Sequence, residues 1–168
     1  MTVLFNSVFS HFSNAQNRMD SIHNVKYLIQ KHNTVSSEGV GLLQSPSKYW
    51  YAFAYMLHLS TNEELEQMTH DESPALRIYS YAGLIYNKYS NLKNIKKRLH
   101  TDKESVNTFF GCISNKEMDV ANCTKQFIKN YHENSIASIL SILKNDEKYR
   151  NQLYDDLMND RKIQRIPE

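Results

Sequence analysis

The chain has 168 residues, of which only 4 are glycine and 3 are proline. Sandwiches and barrels need more turn-forming residues, and a phosphate-cradling loop needs clustered glycines, because only glycine lets the backbone come so close to an anion. Lys+Arg is 20 against 18 acids, a net charge of +2 that requires neither nucleic acid nor an acidic membrane as partner.

This composition predicts an all-α fold, in one domain over 1–168. The opening residues, 1–10, lack a basic stretch and a continuous apolar run, so they do not read as a signal peptide, and the protein is placed in the cytoplasm. N-terminal helices are expected over 3–32, where Met19, Ile22, Val25 and Ile29 recur at three-to-four spacing. A polar loop follows over 33–45, with Gly39 and Gly41. Ser45-Pro46 reads as an N-cap and a first helical proline, opening a helix over 46–59. That helix is apolar nearly all round, so it is central in the core or covered by a partner.

Thr61-x-x-Glu64 has capping-box spacing and opens a helix over 62–69. Ser73-Pro74 opens the next, over 74–89, and another is expected over 91–100. Thr101-x-x-Glu104 and Ser114-x-x-Glu117 share the capping-box spacing and predict helices over 103–110 and 115–131, the first ended by Gly111. C-terminal helices over 133–158 break near Asn145-Asp146.

The segment Asp71-Glu72-Ser73-Pro74-Ala75-Leu76-Arg77-Ile78-Tyr79-Ser80-Tyr81-Ala82-Gly83-Leu84 resembles the turn and second helix of a HEAT-type repeat. The family pattern is Asp-x-x-Pro-x-Val-Arg-x-x-Ala-x-x-Ala-Leu. Leu76 takes the valine slot, Ser80 and Gly83 replace the alanines, and Arg77 and Leu84 match. A fainter copy lies 30 residues on, from Leu65 to Ile95 and from Leu76 to Val106, with Asn107 where the arginine should stand. The resemblance covers about 60–110, and the segment is also similar to bacterial proteins with one or two such repeats. It implies a short, curved stack of antiparallel helix pairs with a core over 46–131. Asp71, Pro74, Arg77, Ser80 and Gly83 would then be structural, with Asp71 and Arg77 forming a ladder across neighbouring turns.

Chemistry is harder to find. No two of the 7 histidines stand three to five residues apart, so no helix carries a His-x3-His pair, and no metal, cofactor or catalytic residue is assigned. Cys112 and Cys123 are too far apart for a C-x-x-C motif and read as reduced thiols. Charge is the asymmetry that remains. Residues 60–72 carry Glu63, Glu64, Glu66, Asp71 and Glu72 and no base, whereas 87–103 carry Lys88, Lys93, Lys96, Lys97, Arg98 and Lys103 against Asp102. The plain expectation is that the two runs face each other and cancel.

The functional expectation is a non-enzymatic protein-binding module, of the immunity or antitoxin type, that occludes a partner protein. Trp50, Tyr51, Tyr79 and Tyr81 would be its anchors, and Lys93 and Lys97 would steer an acidic partner such as a toxin. The alternative is nucleic-acid binding through 88–103, with Tyr86 and Tyr89 as stacking groups. A third reading is an enzyme whose site gathers around His58, His100 or Cys112.

Overall fold

The structure is a computed structural model that describes residues 3–111, 113–130 and 133–163, with side chains over 16–111, 116–130 and 133–163. The elements run α1 (Val3–His32), β1 (Thr34–Val40), β2 (Ser45–Pro46), α2 (Lys48–Leu59), α3 (Asn62–Met68), α4 (Pro74–Tyr86), α5 (Leu92–Leu99), β3 (Ser105–Gly111), β4 (Ile113–Asp119), α6 (Val120–Lys129), α7 (Glu133–Asn145) and α8 (Glu147–Met158).

The fold is mixed α/β, not the expected all-α stack of helix pairs. Four strands form one sheet in the order β2-β1-β3-β4. β1 and β3 are parallel, pairing Thr34 with Asn107 and Val35 with Thr108. The outer pairs are antiparallel: Gly39 faces Pro46 across β1–β2, and Val106 faces Met118 across β3–β4.

The physical reasons for the corrections are local. Ser105, Val106, Asn107 and Thr108 alternate between solvent and core, which is the period of a half-buried strand. Thr101 and Glu104 have the spacing of a capping box but do not form one: Thr101 Oγ1 donates to the carbonyls of Lys97 and Arg98, and Glu104 is engaged by Arg77. The predicted helix over 115–131 shrinks to α6, capped by Asp119, whose side chain accepts from Asn122 N–H at 2.7 Å. Gly111 ends a strand with φ +57°, a conformation that favours glycine, and does not cap a helix. The predicted loop over 33–45 contains β1. Ser45-Pro46 is β2, and the helix behind it begins after Ser47, whose hydroxyl bonds Ser36 Oγ and makes no side-chain cap.

The helical signals held where a cap could form from neighbouring residues. At α3, Thr61 and Glu64 satisfy each other's backbone N–H groups. At α4, Ser73 accepts from Leu76 N–H, with Pro74 in the first turn. Asp146 separates α7 from α8 and caps the latter.

α2 lies at the centre. Its residues Trp50 to Leu57 are all buried, because α1, α7, α8, α4 and β1 pack around it. α4 and α6 cover the sheet. α2, α4 and β1 meet at Tyr79, whose ring stacks on Phe53 at 4.8 Å and whose hydroxyl accepts from Ser36 N–H at 3.0 Å.

Candidate functional site

The four aromatic residues predicted as anchors are interior. Trp50, Tyr51, Tyr79 and Tyr81 keep at most 5% of their surface, so none offers a ring to solvent. Their helices are apolar on several sides because other elements cover them. Among the described residues the exposed large apolar side chains are others: Met19, Tyr27, and Leu42 with Leu43 in the β1–β2 turn.

The five residues predicted as structural lie around α4. Pro74 and Ser80 are buried, and Gly83 sits where a Cβ would come within 3.0 Å of Leu57 Cδ1. Arg77 is buried and reaches the carbonyls of Asp71 and Glu72 together with the carboxylates of Asp102 and Glu104. The Asp71 carboxylate is used elsewhere, accepting from Gln30 Nε2 and Ser73 N–H.

Lys93 and Lys97 are exposed, and α5 shows why. Ile95 and Leu99 anchor one side of this helix in the core. Lys93, Lys96 and Lys97, at i, i+3 and i+4, therefore share the outer side. Of the acids expected to neutralise them, Glu64, Glu66 and Asp71 are occupied, and Glu63 and Glu72 form no ion pair with them among the described residues. Glu64 holds Arg18 and the Thr61 cap, and Glu66 accepts from the Tyr89 hydroxyl at 2.7 Å. Asp102 and Glu104 are held by Arg77. Two other bases of the run are also engaged: Arg98 turns inward to Thr69, and Lys103 lies 3.8 Å from Asp119. Lys93, Lys96 and Lys97 have no ion pair among the described residues.

α6 extends this face. Its Lys125 is exposed, and Lys125 and Lys96 both act on His100 at the end of α5. Burial lowers the pKa of His100, and the two lysines lower it further, so its imidazole is disposed to stay neutral. The sequence did not suggest Lys125, because its helix was placed without the hairpin that carries it to α5.

No protein-family model matches the chain, and neither a curated protein nor a solved structure matches it.

His58 and Cys123 lie apart from this face. His58 is half-buried, with its pKa lowered by burial and then by Arg150. Cys123 is buried, and its thiol is pushed up to about 12 by burial and then by Asp119. Cys112 lies outside the described residues. Among the described residues no three metal-ligating side chains converge, and no helix is long and apolar enough to cross a membrane.

Proposed function

We propose that the protein is a binding module for an acidic partner protein, engaged through the basic face of α5 and α6. The observation that carries this reading is the set Lys93, Lys96 and Lys97, exposed on one side of α5 with no acid paired to them among the described residues. Unneutralised charge of one sign raises the encounter rate with a partner of the opposite sign and sets its orientation. An inhibitor that works by occluding an acidic toxin would use such a surface. The anchors would not be Trp50, Tyr51, Tyr79 or Tyr81, which are buried.

A protein partner is favoured over nucleic acid for two reasons. Single-stranded nucleic acid is held by exposed aromatic rings interleaved with bases. Here Tyr86 and Tyr89 are half-buried, and the Tyr89 hydroxyl is bonded to Glu66. The net charge of +2 also gives little long-range attraction to a polyanion.

The test compares two baits in host extract, the native chain and a Lys93→Glu/Lys97→Glu variant with a matching unfolding curve. The reading expects an acidic protein held by the native bait, resistant to nuclease, weakened by salt and lost from the variant. Equal capture by both baits, or oligonucleotide binding in place of protein, counts against it.

A further inference from the structure

Separately from the basic face, a cleft of about 480 Å³ opens where the ends of β1 and β3 meet α2, α6 and α7. Its lining includes Phe110, which is half-buried, and behind it Trp50 and Phe127, which are almost wholly buried and form the floor. Phe127 is fixed by its neighbours: Tyr79 lies at 5.5 Å, Phe53 at 6.0 Å and Phe110 at 6.3 Å between ring centroids. One wall of the cleft is tied together by backbone. Gly41 N–H donates to the Gly111 carbonyl at 2.8 Å, and Gly111 N–H donates to Ser37 Oγ at 3.0 Å. The aromatic lining and the rim are thus preformed, and the volume lies within the range of small-ligand sites.

The side-chain charge of the lining has one sign among the described residues. Glu38 is the charged residue of the cleft, and no lysine, arginine or histidine lines it among the described residues. Gln126 and Asn130 come from the C-terminal end of α6, where the helix dipole places partial negative charge. Ser135 comes from the first turn of α7, where the partial positive charge of the helix N-terminus is offset by Glu133. A carboxylate and a helix C-terminus beside the half-buried Phe110 ring form an environment that attracts cations.

We propose that this cleft binds a small organic cation with a flat apolar body, such as an amine or amidine carried on an aromatic ring. The ring would lie against Phe110, above the buried Phe127 and Trp50 that floor the cleft, the cationic group would face Glu38, and Gln126 and Asn130 would supply amide hydrogen bonds.

Trp50 is the single tryptophan of the chain, so its emission reports on the cleft directly. Benzylamine, benzyl alcohol and benzoate share one ring and differ in charge. Benzylamine is expected to change Trp50 emission saturably and to bind about tenfold more tightly than the other two. Glu38→Gln should weaken benzylamine about tenfold and leave benzyl alcohol unchanged. Gln126→Lys, which adds a cation to the cleft, should reverse the preference towards benzoate. Benzoate binding as tightly as benzylamine to the native chain, an unchanged benzylamine affinity in Glu38→Gln, or no saturable change at all would each overturn the proposal.

Discussion

Arg77 Nη2 lies 2.8 Å from Asp102 Oδ2, and this pair joins the first turn of α4 to the segment that enters β3. Both side chains are largely buried, at 8% and 14% exposure. The same guanidinium holds the carbonyls of Asp71 and Glu72 at 2.8 and 2.9 Å. Arg77 is therefore a clamp between the α3–α4 turn and the sheet. Removing one partner of a buried pair costs about 3–5 kcal/mol, because the other is left uncompensated. Arg77 Nε finds no partner among the described residues, so the lower end applies. Arg77→Ala is expected to lose about 3 kcal/mol in urea unfolding, or on the order of 10 °C in Tm for a chain of this length. Arg77→Lys should recover only part, because an ammonium cannot reach both carbonyls and both carboxylates in one fork. A loss below about 1 kcal/mol for the alanine variant would show that the clamp is dispensable.

This clamp also shows where the sequence was readable. Thr61, Glu64, Ser73 and Pro74 encode helix starts through contacts within three residues, and those starts were found. The sheet depends on β1 meeting β3, where Thr34 pairs with Asn107, and no local pattern announces such a pairing. β1 itself is mostly polar, and its reading Thr-Val-Ser-Ser-Glu-Gly-Val resembles a loop. β3 did carry a signal, since Val106 and Thr108 alternate with polar residues, but the capping-box spacing of Thr101 and Glu104 concealed it. The low glycine count misled for a physical reason. Asn33, Gln44, Lys88 and Asp160 all adopt positive φ, a task usually given to glycine. The cleft was not legible because its walls come from five elements distant in sequence. The basic face was half legible: Lys93 and Lys97 stand out in the basic run over 87–103, and Lys125 needed the fold.

Gly83 gives a second prediction. A Cβ there would lie 3.0 Å from Leu57 Cδ1 and 3.3 Å from Leu65 Cδ1. Both leucines are buried, so neither can swing into solvent. Alanine would gain about 1 kcal/mol of helix propensity. Overpacking a filled core costs about 1–3 kcal/mol and outweighs that gain. Gly83→Ala should therefore be less stable by about 1 kcal/mol, and Gly83→Val by more. Chemical denaturation measures both, and a stabilised alanine variant would mean that α2 and α3 give way.

Cys123 should be chemically silent in the native state. It is fully buried, and burial reinforced by Asp119 pushes its thiol up to about 12, so almost no thiolate forms near neutral pH. Alkylation at pH 8 followed by peptide mass mapping should leave Cys123 unmodified in folded protein and modify it fully in denaturant. Rapid native labelling would contradict the packing of α6 against the sheet.

The histidines set a pH dependence whose direction is fixed. His58 is lowered by burial and then by Arg150, His32 by burial and then by Lys48 and Lys31, and His100 by burial and then by Lys96 and Lys125. Each folded-state pKa lies below the unfolded value, so near pH 6 the unfolded chain binds more protons and acid favours unfolding. The stabilisation is complete above the unfolded pKa of about 6.5 and is lost as pH falls through the folded values. Asp160, lowered by its hydrogen bond to Lys48, acts in the same direction but only in the carboxylate range. The urea midpoint should therefore fall between about pH 7 and pH 5, above the range where carboxylates titrate. His58→Gln should flatten that slope, since it removes a half-buried imidazole beside Arg150. A midpoint that is level across this interval, or that rises towards acid, would place these three rings in water.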